Sequence, residues 1–248
     1  MQTTQRTHLQ THYTHYLGKV LGLGDDAVAA HLAVLDEIAT AAGVKSRLGK
    51  RSFFDIETHS ELNLLRNLLL KNFEYLRPPA AEQQRLLSAL DDYIRFTRGT
   101  GFAEDRQKIL SVSDTPMPMR EDIQVNRHTF RSSAFLSAQA LELAGHACEL
   151  DPAHPSFLSE ETRRPYMVAH RIFPVGLQGL FQADADTFAN IICLCPMCRA
   201  RLCHGLTADR EAMANRIYEL RAGRLAAAGI LLPRDAFVRI LSLLDYRD

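Results

Sequence analysis

Four of the five cysteines lie close together, with a spacing typical of a metal site. Cys193, Cys195, Cys198 and Cys203 fall within eleven residues, and Cys148 stands alone upstream. An odd total, after a polar opening that lacks the pattern of a secretory signal, disfavours a disulfide framework. A thioredoxin-like use of the Cys-Pro-Met-Cys segment needs a βαβ context, which the flanking sequence does not predict. Metal binding is the interpretation we follow, and its alternative is a set of buried, inert cysteines.

The segments around these cysteines predict a strand, a loop, a second strand and a helix. β-branched and aromatic residues favour strands, and proline is favoured in the first helical turn. The predicted elements are a helix from Ser132 or Ser133 to Gly145, strands over Tyr166–Ile172 and Ile191–Leu194, and a helix that begins at Pro196.

This region resembles the HNH, or ββα-metal, endonucleases, and among them the type found in modified-cytosine restriction enzymes. The resemblance covers residues 132–206. It rests on RPYMVAH at 164–170 followed by Pro174, on NIICLCPMC at 190–198, and on Cys148 just after a helix and a glycine. It implies a small module held together by structural zinc.

The resemblance also implies a hydrolytic centre. In this family a divalent cation such as Mg²⁺, Mn²⁺ or Ni²⁺ neutralises charge on the scissile phosphate, and a neutral imidazole takes a proton from water. These roles fall to His170, Asn190 and His204, with Asn190 orienting the loop that carries the base. With Pro174 as anchor, His170 takes the metal position and Arg171 the base position, where an arginine cannot act as a base. A shift of one residue makes His170 the base instead, and His204 serves only if its helix is distorted.

For the zinc site the resemblance supplies three cysteines, Cys148, Cys195 and Cys198. The family's fourth ligand stands three residues after Cys148, where this chain has Asp151. Zinc accepts carboxylate oxygen and imidazole nitrogen, so Asp151 is the first choice and His154 or His146 are the alternatives.

Arginines near the predicted centre have two interpretations. Arg171, Arg199 and Arg201, with Arg163 and Arg164, either converge as a phosphate clamp on nucleic acid or are solvated charges offset by nearby carboxylates. Lys plus Arg equals Asp plus Glu at 29 each, so the chain lacks the basic excess of proteins that coat nucleic acid. A local patch remains compatible with that balance.

The composition indicates a globular protein of two domains. The chain has 248 residues, 46% hydrophobic and 23% charged, which excludes collagen-like and disordered classes. We expect a mostly α fold: a helical N-terminal domain at 1–99, a linker at 100–131, the HNH-like module at 132–206 and C-terminal helices at 207–248. No apolar run has the ~20 residues of a membrane helix, so we expect a cytoplasmic protein that does not bind membranes.

The functional expectation is therefore a metal-dependent HNH-type DNA endonuclease, acting in restriction or defence. Its main rival is a degenerate HNH module that binds DNA or a protein partner without cleavage. A third hypothesis is a helical interaction protein in which zinc only stabilises the fold. The N-terminal domain is the expected site of homodimerisation or of binding another protein.

Overall fold

The computed structural model describes residues 8–116 and 134–244, which form two compact units divided between Thr100 and Gly101. The described residues are mostly helical and include one two-stranded sheet, which confirms the predicted helical class. No single described helix is long and apolar enough to cross a membrane, although α2 and α3 below, which meet at 87°, pass that test together.

The first unit consists of helices around an aromatic core. Its helices are α1 (His8–His15), continued by a π-helical turn (Tyr16–Val20), α2 (Asp25–Thr40), α3 (Ala42–Leu48), α4 (His59–Leu76) and α5 (Ala80–Arg98). Thr58 caps α4, because its hydroxyl accepts a hydrogen bond from the amide of Glu61. Tyr13 and Tyr93 are fully buried, with ring centroids 5.0 Å apart. α2 ends at Thr40 and α3 begins at Ala42, with the non-helical Ala41 between them.

The second unit contains the cysteines and the sheet. It comprises α6 (Arg106–Ser113), α7 (Ala134–Leu143), β1 (Val168–Arg171), β2 (Ile191–Leu194), α8 (Pro196–His204), α9 (Thr207–Ala227) and α10 (Arg234–Leu243). The strands are antiparallel, and Val168 lies opposite Leu194 while Arg171 lies opposite Ile191. The residues between the strands include two short 3₁₀ segments, Val175–Leu180 and Phe188–Asn190.

The linker predicted at 100–131 is wrong for its first half. Residues 106–113 form α6, which buries Ile109 and Val112 and belongs to the second unit. The sequence of this stretch alternates in charge, and only Ile109 and Val112, one helical turn apart, indicate an apolar helix face. The rest of the predicted linker, from residue 117 onward, and the expected helix start at Ser132 or Ser133 lie outside the described residues.

One apolar core supports the sheet and the cysteines of the second unit. Cys148, Cys193 and Cys195 belong to it, together with Phe173 and, from α10, Phe237. The rings of Phe173 and Phe237 meet edge to face at 5.2 Å. The C-terminal helices therefore pack on the same core as the strands that precede the Cys-Pro-Met-Cys segment.

Candidate metal centre

Three cysteines and one histidine meet at the start of α8. The sulfur atoms of Cys148, Cys195 and Cys198 and a ring nitrogen of His154 all lie within 4.8 Å of one another. Nδ1 of His154 is 3.2 Å from Sγ of Cys198 and 3.8 Å from Sγ of Cys195. A tetrahedron with metal–sulfur bonds of ~2.3 Å has edges of ~3.8 Å, so these four side chains could hold a structural metal ion.

Local backbone geometry explains why the cysteines converge. Cys195 is the N-cap of α8, and its sulfur accepts a hydrogen bond from the amide of Cys198 at 3.4 Å.

Burial by itself raises the pKa of Cys148, but hydrogen bonds from the Cys195, Asp151 and Leu150 backbones and from His154 outweigh it and lower the pKa to about 7. Burial and the neighbouring thiols of Cys195 and Cys148 raise the pKa of Cys198, so Cys148 ionises more readily than Cys198.

Asp151, the fourth ligand predicted from the sequence, is not among the clustered side chains, whereas the alternative His154 is. Oδ1 of Asp151 accepts a hydrogen bond from the amide of Ala153 at 2.9 Å, and its carbonyl accepts one from the amide of His154 at 3.1 Å. This turn carries His154 to the three sulfurs, and it leaves Oδ2 of Asp151 3.7 Å from Nε2 of His154. The carboxylate thus lies where metal-binding histidines commonly find an orienting partner. The other alternative, His146, is not in the cluster and pairs with Glu142 at 3.3 Å.

The residues of the predicted hydrolytic centre do not assemble as a metal site. His170 lies on β1 and is only 7% exposed, whereas His204 is exposed at the end of α8. α8 is a regular helix as far as His204 and buries Cys203 instead, so the distortion that His204 would need is absent. Over residues 8–116 and 134–244, the Cys148 cluster is the only group of three or more His, Cys, Asp or Glu side chains placed to share a metal.

His170 has a neutral imidazole over the physiological pH range. Burial, followed by the positive charges of Arg199 and Arg171, lowers its pKa to about 4. A general base must be neutral, but one with so low a pKa has little affinity for the proton of water.

Asn190 holds the loop between the strands. Its side-chain amide is fully buried and donates to the carbonyls of Phe173 and Ala185, both at 2.8 Å. Its oxygen accepts from the amide of Phe173 at 2.9 Å. Residues at the two ends of the loop are thereby fixed to each other beside Pro174.

Arg171, predicted as a nucleic-acid contact, is mostly buried and forms an ion pair with Asp186. Nη2 and Nε donate to Oδ1 of Asp186 at 2.8 and 3.2 Å, and Nη1 lies 3.4 Å from the hydroxyl of Ser137. The side chains of Arg171 and Asp186 are 15% and 1% exposed. Fifteen residues separate Arg171 from Asp186, so no local sequence pattern indicates that they pair.

The remaining arginines are mostly paired at the surface. Arg163 pairs with Glu160 and Arg164 with Glu142, both at 2.6 Å, and Arg201 pairs with Asp209. Arg199 lies in the first turn of α8, where its amide donates to the carbonyl of Cys195 at 3.0 Å; its guanidinium forms no hydrogen bond or ion pair with another side chain in the described part of the chain. A convergent clamp of five arginines is therefore not formed, and Arg199 is the candidate phosphate contact that remains.

A scan against protein-family models finds no match, and searches of curated proteins and of solved structures find none either.

Proposed function

We propose that residues 134–206 form a zinc-stabilised, HNH-like module that binds DNA without cleaving it. The resemblance of the sequence motifs, the antiparallel β1–β2 pair followed by α8, and the Cys₃His cluster support this proposal. Three thiolates and one imidazole form a common ligand set for structural zinc.

The observation that carries the non-cleaving role is the ion pair of Arg171 with Asp186. Arg171 occupies the position to which the resemblance assigns the catalytic base, and its guanidinium is committed to a carboxylate that is 1% exposed. An arginine stays protonated at any physiological pH and takes no proton from water. At this position the side chain stabilises the loop rather than performing hydrolysis.

Arg199 would make the principal charged contact with DNA. It lies on α8 directly after Cys198, so a metal that orders the start of the helix also fixes this side chain. A phosphate contact of this kind contributes affinity without reading sequence, and the affinity falls as salt displaces the phosphate.

An active endonuclease is the second candidate, and Asn190 favours it. Its amide fixes the backbone of Phe173 next to Pro174, which is the role that the resemblance gives to the central asparagine. Under this alternative His170, rather than Arg171, is the base.

Two measurements on the purified full chain separate these candidates. The proposal predicts about one zinc per chain, no nicking of supercoiled plasmid with Mg²⁺, Mn²⁺ or Ni²⁺, and DNA binding that Arg199→Ala weakens and that salt reverses. Nicking that His170→Ala abolishes would instead establish the endonuclease. Zinc with neither nicking nor DNA binding would move the search to a protein partner.

The matched control for Arg199→Ala is Arg201→Ala. Both substitutions remove one arginine from α8, but Arg201 is already neutralised by Asp209. An equal loss of DNA affinity in the two variants would indicate a general charge effect and would argue against a specific contact by Arg199.

A further inference from the structure

Glu149 joins the two chain segments that carry the cysteine ligands. It directly follows Cys148, and its amide donates to the carbonyl of Cys193 at 2.9 Å. In return, the amide of Cys193 donates to Oε2 of Glu149 at 2.7 Å. Cys193 lies two residues before Cys195, so this reciprocal pair of hydrogen bonds ties the Cys148 loop to the strand that leads to Cys195 and Cys198.

A buried arginine from a different helix holds the Glu149 carboxylate. Nη2 of Arg221, on α9, donates to the same Oε2, and the side chains of Arg221 and Glu149 are 3% and 17% exposed. Arg106, on α6, lies further away, with Nη2 3.8 Å from Oε1. Two helices remote from the cysteines in sequence, α6 and α9, therefore meet at one carboxylate beside the metal cluster.

Stability alone gives little reason to bury this pair. The cost of removing a carboxylate and a guanidinium from water often equals or exceeds their attraction, so apolar residues would stabilise the core as well. Positioning explains the pair better. Oε2 of Glu149 accepts hydrogen bonds both from Arg221 and from the amide of Cys193, which lies on the strand that leads to Cys195.

We infer that Glu149 and Arg221 are positioning residues of the zinc site: they hold Cys148 at the distance from Cys195 that the metal requires. Metal affinity then depends on the docking of α9. This inference rests on the zinc site of the proposed function. Residues that orient metal ligands from outside the coordination sphere typically contribute ~10- to 100-fold in affinity.

The test measures metal affinity in the full chain with Arg221→Met, Glu149→Gln and the double variant. Zinc dissociation constants are obtained by competition with a chelator, and Co²⁺ absorption reports the coordination geometry. The inference predicts that each single variant weakens zinc binding ~10- to 100-fold. It also predicts that the double variant loses less than the product of the two, because both substitutions disable the same contact.

The matched control is Arg224→Met. Arg224 also lies on α9 and also forms an ion pair, with Asp114 at 2.5 and 2.9 Å; its positive charge acts on Glu149, but its hydrogen bonds go to Asp114 and not to the Glu149 carboxylate. The Arg224→Met variant should unfold at a lower urea concentration than the wild type, but its zinc dissociation constant should stay within about threefold of the wild-type value. Zinc affinities that fall equally in Arg221→Met and Arg224→Met, in step with stability, would overturn the inference.

Two further outcomes are distinguishable. If Arg221→Met does not fold, Arg221→Lys is used instead; it retains the positive charge and should keep part of the zinc affinity and the wild-type Co²⁺ spectrum. Zinc affinity equal to that of the wild type in Glu149→Gln would overturn the inference. A wild-type chain that binds neither zinc nor Co²⁺ would overturn the zinc site itself, whatever the variants do.

Discussion

Replacing Arg171 by methionine tests whether this side chain stabilises the fold or contacts DNA. The substitution keeps the apolar stem and removes the guanidinium from a carboxylate that is 1% exposed and accepts two of its hydrogen bonds. Removing one partner of a buried ion pair costs ~3–5 kcal/mol, because the remaining charge loses its compensation. We expect Arg171→Met to lower the free energy of unfolding by about that amount.

Replacing the other partner of the ion pair, Asp186, should lower the free energy of unfolding by less. In Asp186→Asn the amide oxygen can still accept a hydrogen bond, and Arg171, at 15% exposure, can bind water. A loss of ~1–3 kcal/mol follows from the weaker hydrogen bonding alone. The double variant should lose less than the sum of the singles, since both act on one contact.

The assay is urea unfolding followed by circular dichroism, with zinc in constant excess. Arg201→Met is the control, because its ion pair with Asp209 lies at the surface, where such pairs contribute ~0–1 kcal/mol. DNA affinity is measured on the same samples. If Arg171→Met unfolds at the wild-type urea concentration but loses DNA affinity as Arg199→Ala does, the assignment of Arg171 to the interior is refuted.

Three further predictions concern the metal cluster, the buried histidine and the loop. His154→Ala should lose zinc from the Cys₃His site, whereas Asp151→Asn should weaken binding only ~10-fold; the reverse order in a chelator competition would restore Asp151 as the ligand. Because burial holds the pKa of His170 near 4, below the ~6.5 of an unfolded chain, stability should fall by up to ~1.4 kcal/mol per unit as pH drops from 6.5 towards 4; urea titrations should show that His170→Gln lacks this part of the slope, and identical slopes would contradict it. Asn190→Ala leaves the buried amide and carbonyl of Phe173 without their side-chain partner and should cost ~3 kcal/mol in urea unfolding; a loss under ~1 kcal/mol would show that other contacts fix the loop.

Short-range patterns predicted the strand, loop, strand and helix around the cysteines, but not α6. Proline at the start of a helix and a cysteine three residues before the next ligand are local features, and they placed α8, Cys195 and Cys198 correctly. The spacing of three residues after Cys148 predicted Asp151 as the fourth ligand, but the cluster contains His154 instead, and the reason is also local. A carboxylate two residues before an amide forms a turn with it, and this turn moved the ligand position to His154.

The missing part of the site depends on contacts that no local pattern encodes. Glu149 is separated from Cys193 by 44 residues and from Arg221 by 72, and both partners reach it only after the sheet and α9 have packed. Arg171 was predicted as part of a phosphate clamp or as a solvated charge, and the buried carboxylate that pairs with it, Asp186, lies fifteen residues further along the chain.

The loop between the strands explains how such a module could retain its fold without a catalytic base. Asn190 fixes Phe173 from the far end of the loop, and Asp186 fixes Arg171 from within it. Arg171 and Ile191 are opposite each other in the sheet, so both anchors act at the point where the strands end and the loop begins. Under the proposed function, Arg171 stands at the position of the catalytic base and makes a structural contact with a buried carboxylate there, where a histidine would supply proton transfer. Under the proposed function, stability and hydrolysis are separate demands on this one position, and the ion pair satisfies only the first.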